Sequence, residues 1–151
     1  MEKYDLIVVG MGPSSIFLAY ELIQKNQAKK VLLIEEGKRV EDRFCPIEQT
    51  GKCIKCKPFC NITSGFSGAG AFSDGKLSLY NPEDDDIYVG GNLHEYIGVP
   101  KTKERIDYAD NIYLKFGADK KLEGVLYKDE IKAIKDKAKK EGINLINIPI
   151  R

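Results

Sequence analysis

The hydrophobic pattern of the chain opens with an apolar run, Leu6-Ile7-Val8-Val9, that ends in Gly10-Met11-Gly12. A short run of this kind before a glycine turn predicts a buried strand. Apolar positions then recur at Ile16, Ala19, Tyr20 and Ile23, the spacing of an amphipathic helix. A second run, Val31-Leu32-Leu33-Ile34, predicts a second strand ending in Glu35-Glu36-Gly37. Strand, helix and strand in this order predict a parallel βαβ unit. From Lys38 to Ser64 no period is visible, and Cys45-Pro46, Gly51 and Lys57-Pro58 mark a loop. Ala71 to Tyr80 predicts a hairpin that turns at Asp74-Gly75. One helix is predicted from Thr102 to Phe116, with Ile106, Ala109, Tyr113 and Phe116 on one face and Gly117 as its stop. Another is predicted from Lys128 to Glu141, with Ile131, Ile134 and Ala138 inward and Gly142 as its stop. Leu145 to Ile150 predicts a last strand, with Pro149 near its end.

The fold class expected from this order is α/β with a parallel sheet. Residues 1–151 are expected to form one Rossmann-like domain with a Cys-rich loop at 38–64. The sheet is expected to be incomplete at the C-terminus, because the chain stops as a strand begins.

Composition narrows the partners. With 24 basic and 23 acidic residues and a net charge of +1, there is no basic excess to favour nucleic acid or an anionic membrane. Leu6–Val9 is too short for a signal peptide or a membrane span, which leaves a cytoplasmic location as the default. All four cysteines fall between positions 45 and 60. Such local clustering points to metal or redox chemistry more than to scattered stapling disulfides.

The opening unit has the chemistry of an adenosine diphosphate grip. Gly10 allows the tight turn, Gly12 lets backbone approach a pyrophosphate, and the helix N-terminus offers free N–H groups and the positive end of its dipole. An acid at the end of the second strand accepts ribose hydroxyls. The third glycine of the usual fingerprint is Ser15 here, a small residue that still permits close helix–strand packing. The competing reading is an ordinary βαβ turn without a ligand; the strand-end Glu weighs against it.

Gly10-x-Gly12-Pro13 with Glu35-Glu36-Gly37, followed by Gly65-Phe66-Ser67-Gly68-Ala69-Gly70-Ala71-Phe72-Ser73-Asp74-Gly75-Lys76-Leu77, resembles the N-terminal part of an uncharacterised group of FAD-dependent dehydrogenases. That group belongs to the glutathione-reductase-type flavoproteins with two dinucleotide-binding domains. Tyr108 to Gly117 has the same look. The resemblance implies that Gly10, Gly12, Pro13, Ser14 and Ser15 face the FAD pyrophosphate. It implies that Glu35 binds the adenosine ribose, with Glu36 the alternative if the strand ends one residue later. Ser67, Gly68, Ala69 and Gly70 are implied to run beside the pyrophosphate or the isoalloxazine. An NAD(P) site shares the adenosine end, and the Ser64–Lys76 stretch tips the balance to FAD; the other alternative is a non-catalytic nucleotide-binding module in which the cysteines hold a structural zinc. Members of the group are much longer, so the chain is expected to be a fragment, a truncated frame or one piece of a split enzyme. Alone it is expected to be inactive, with the missing C-terminal portion as a partner and an unnamed small molecule as substrate or electron acceptor.

Cys45, Cys53, Cys56 and Cys60 make C-x7-C-x2-C-x3-C, with Lys52, Lys55 and Lys57 between them. Four thiolates so close can wrap a zinc ion or an iron–sulfur cluster, and the lysines offset their charge. A redox disulfide near flavin and four unliganded loop thiols are the rival readings. The acidic run Glu83-Asp84-Asp85-Asp86 lacks the glycine and terminal acid of a calcium loop and reads as a solvated turn. His94 has no visible catalytic partner, and neither Ser14 nor Ser15 has a base beside it.

Overall fold

A computed structural model describes residues 2–27, 30–72, 75–83 and 87–151. They form a mixed α/β structure with a two-stranded parallel sheet and five α-helices among the described residues. The chain divides into two compact units, residues 1–75 and 76–151.

The first unit is built on β1 (Leu6–Val9), α1 (Pro13–Gln24) and β2 (Val31–Ile34). The strands pair in parallel, Leu6 with Val31 through Val9 with Ile34, and the ladder runs on as the Gly10 N–H donates to the Ile34 carbonyl at 2.7 Å. Pro13 occupies the first helical position, where its missing N–H costs nothing and its fixed φ starts the helix. Of the apolar stripe expected to face inward on α1, Ala19 and Tyr20 are half-buried while Ile16 and Ile23 stand exposed. A two-stranded sheet is too narrow to cover the whole stripe. The expected loop at 38–64 carries two short turns of helix, a 3-10 turn at Val40–Asp42 and α2 (Ile47–Thr50), the latter stopped by Gly51 in the left-handed region.

The second unit holds α3 (Leu93–Ile97), α4 (Val99–Lys115) and α5 (Lys128–Lys140). Helix α4 begins three residues before its predicted start, with Pro100 in its first turn. Its buried residues are Thr102 and Ile112, while Tyr113 and Phe116, expected inward, are exposed. Thr102 can be fully buried because its hydroxyl donates to the Gly98 carbonyl at 3.0 Å. Helix α5 keeps its predicted bounds within a residue, with Asp129 and Glu130 in its first turn and Lys137, Lys139 and Lys140 in its last, matching the helix dipole.

Two predicted features are corrected. The hairpin over Ala71–Tyr80 is not formed by the described residues: Ala69–Ala71 is a 3-10 turn, and Ser73 and Asp74 lie outside the described residues. Leu77 instead exchanges backbone hydrogen bonds with Arg151, and the Leu79 N–H donates to the Pro149 carbonyl. The strand expected over Leu145–Ile150 is likewise absent. Only Ile150 makes bridges, antiparallel to Ser78 and to Glu123, and Pro149 has no N–H to extend a ladder. The run Asp84–Asp86 lies outside the described residues. Among the described residues no helix is long and apolar enough to cross a membrane.

Candidate functional site

In the first unit the glycine turn is framed on three sides. Gly10 adopts φ +88°, which a residue with a side chain would resist. Gly12 is extended (φ −75°, ψ 179°) and caps α1, and no side chain caps that N-terminus. Pro13 brings no N–H and the Ser15 N–H donates to the Gly12 carbonyl at 3.1 Å, so the Ser14 N–H is the first-turn donor left open to an external acceptor. A Cβ added at Gly12 would meet nothing within 4 Å. That side of the turn is open.

Glu35 sits one residue past β2 and is half-buried. The Met11 N–H donates to its Oε2 at 2.7 Å and the Gly37 N–H to its Oε1 at 2.9 Å. These backbone donors, Gly37 first and Met11 second, hold its carboxyl below the usual carboxylate range. The Gly65 and Glu36 N–H groups lower it further, so backbone donors already surround the carboxylate. Because β2 ends at Ile34, Glu35 is the acid that meets the glycine turn. Glu36 is exposed and turns to a hollow of about 490 Å³ lined with Lys38, Phe44, Pro46 and Phe59.

The third side is the small-residue stretch. The Ser67 N–H donates to the Met11 carbonyl at 2.9 Å. A Cβ at Gly68 would stand 3.4 Å from Pro13 Cδ and 3.5 Å from the Gly12 Cα, so this stretch lies directly on the turn. Ala69 and Gly70 lead away in an exposed 3-10 turn. Ser14 is exposed on the first turn of α1, and Ser15 is half-buried. The structure thus brings Gly10, Gly12, Pro13, Glu35, Ser67 and Gly68 together and leaves Glu36, Ala69 and Gly70 peripheral.

Two features of the site were missed by sequence reasoning. Gly37 and Gly65 cross so closely that a Cβ on Gly37 would fall 2.4 Å from the Gly65 nitrogen. Arg43 is only 5% exposed, and its guanidinium donates to four carbonyls: Asn61 at 2.8 Å, Ile62 at 2.6 Å, and Phe66 and Gly68 at 2.7 Å each. It also lies over the Phe72 ring at 4.4 Å. Arg43 thereby ties the end of the Cys-rich loop to the stretch that rests on the glycine turn. One arginine in an aperiodic loop carries no sequence signal of such a role.

All four cysteines are free thiols, which leaves no disulfide among them. Cys45, Cys53, Cys56 and Cys60 line one cavity of about 240 Å³. Among the described residues, no group of three or more His, Cys, Asp or Glu side chains is gathered as a metal ligand set. The Lys55 N–H donates to Cys53 Sγ at 3.4 Å. Backbone N–H groups of Ile62 and then Thr63 hold the Cys60 thiol below the ordinary thiol range. His94 belongs to the second unit, on α3, where its Nδ1 is buried without a hydrogen-bond partner.

No family model matches the chain, and no solved structure matches it. An uncharacterised protein of Clostridium beijerinckii is 39% identical to it over 72 residues, which is 48% of this chain. That match spans 13% of the relative's own length.

Proposed function

We propose that this chain carries the adenosine-diphosphate-binding part of an FAD site in a flavin-dependent oxidoreductase with a Rossmann-like fold. One observation carries the reading: the uncapped N-terminus of α1 and the Glu35 carboxylate flank a glycine turn with free space at Gly12. Pyrophosphate oxygens would accept the Ser14 N–H at the start of α1, and the adenosine ribose would donate to Glu35. Ser67 and Gly68 support FAD over NAD(P), because small residues resting on the turn are what the resemblance assigns to the flavin nucleotide. Bound flavin would supply the hydride or electron chemistry; this chain's residues would hold and orient the cofactor. Substrate and electron acceptor are small molecules in this reading.

The test is a binding titration of the 151-residue chain with ADP, FAD and NAD(P), repeated on Gly12→Ala. Gly12 has ordinary backbone angles and open space, so the variant keeps the wild-type melting temperature. The added methyl nevertheless stands where phosphate must come, which costs about 1.5 kcal/mol, roughly tenfold in affinity. FAD is expected to bind no more tightly than ADP, because the contacts assembled here end at the adenosine diphosphate. If NAD(P) alone binds, a nicotinamide nucleotide site replaces the FAD reading. If no nucleotide binds, or if Gly12→Ala binds as wild type does, the site is not there.

A further inference from the structure

We propose that Cys45, Cys53, Cys56 and Cys60 bind one zinc ion through four thiolates, and that the ion clamps the loop which Arg43 ties to the glycine-rich stretch. The four thiols already share one cavity wall, although the loop joining them has almost no regular structure. That cavity is lined with no carboxylate and no histidine, only sulfur, apolar groups, two lysines and Asn61. Such a donor set is soft, which selects zinc over magnesium or calcium. For an oxygen-preferring cation the lining side chains offer only the Asn61 amide oxygen.

The segment Cys53-Ile54-Lys55-Cys56 already places a backbone donor on one of the thiols. Lys55 takes the left-handed φ of 53°, and its N–H donates to Cys53 Sγ at 3.4 Å. A backbone donor aimed at sulfur steadies an anionic ligand without neutralising it. Cations surround the site: Lys52, Lys55 and Lys57 are exposed around the loop, and the buried Arg43 guanidinium grips the carbonyls of Asn61 and Ile62 directly after Cys60. They offset the net negative charge of a zinc tetrathiolate.

As they stand, the side chains line the cavity without forming a ligand set. Closing them on an ion takes rotamer changes and movement of an irregular loop, an ordering that zinc–thiolate binding free energy exceeds. In the binding step four S–H bonds give way to four Zn–S bonds, and the protons pass to solvent. No electron is transferred. Once formed, the site fixes residues 45–60, and through Arg43 the Phe66 and Gly68 carbonyls, beside the nucleotide turn.

The proposal is tested on the whole chain by cobalt(II) titration in the absence of chelator, followed by zinc competition and metal analysis. The expected result is intense tetrahedral cobalt–thiolate absorption that saturates near one equivalent and is bleached by one equivalent of zinc. Cys56→Ser is expected to lose most of this absorption and most of the zinc. The wild-type spectrum stands as a result even if that variant does not fold. Only weak octahedral cobalt absorption, free reaction of all four thiols with a thiol reagent in zinc-loaded protein, or iron with inorganic sulfide in place of zinc would each overturn the proposal. None of these readouts depends on nucleotide binding, so failure here and failure of the FAD reading are separable.

Discussion

At the residue scale, Glu35 joins β2 to the glycine turn through the N–H groups of Met11 and Gly37. Those bonds need the ionised carboxylate, and they depress its folded pKa. A group shifted this way contributes its full stability above its unfolded pKa and loses it as pH falls through the lower folded value. Acid should therefore lower the melting temperature of the wild-type chain through and below the ordinary carboxylate range. Glu35→Gln should remove part of that acid-sensitive limb and cost about 1.5 kcal/mol at neutral pH. A melting curve series against pH for both proteins checks this. Identical acid limbs would show that Glu35 is not the linking group. The acid itself was legible in sequence, as the residue ending the second apolar run. Its use as a bracket for the turn was not, because the Met11 N–H is a backbone group with no signature.

Among elements, the tightest fit is the crossing of the segment after β2 with the start of the glycine-rich stretch. Gly37→Ala would drive a methyl into the Gly65 backbone, where no side chain can rotate away. The expected loss is about 3 kcal/mol in denaturant unfolding, whereas Gly12→Ala should cost nothing measurable. Equal behaviour of the two variants would contradict the packing described here. In the second unit, Arg151 holds Asp110 of α4 by two bonds, Nε to Oδ1 at 2.5 Å and Nη2 to Oδ2 at 2.8 Å. Both side chains are largely buried, and Asp110 raises the Arg151 pKa further. Asp110→Ala would leave a shielded guanidinium without its carboxylate and should destabilise that unit by about 3 kcal/mol. The period of α4 was visible in the sequence, yet its buried phase was displaced. Counting only apolar residues overlooked Thr102, whose hydroxyl is satisfied within its own helix.

For the whole molecule, the main feature is apolar sheet left open. Ile7 and Val9 share one face of β1 and are 56% and 79% exposed, and Leu33 and Ile34 of β2 are exposed as well. Parallel strands are ordinarily covered on both faces. Patches of this kind bind apolar dyes and drive association. The 151-residue chain should enhance the fluorescence of an anilinonaphthalene dye while folded, and Val9→Thr should reduce that signal without lowering the melting temperature. A folded chain that binds no dye would mean that the face is covered in solution.

What the sequence by itself determined is local. Apolar period and turn chemistry act over a few residues, so β1, α1, β2, α5 and the parallel βαβ order could be read directly, as could the glycine turn with its acid. Pairing across long stretches was decided only by the tertiary structure. Leu77 and Leu79 bond with Arg151 and Pro149 rather than with a neighbouring hairpin arm, because a backbone edge takes whichever partner the fold presents. The same holds for Arg43. Among 24 basic residues nothing marks it, and its role exists only because carbonyls 18 to 25 positions later converge on one buried guanidinium.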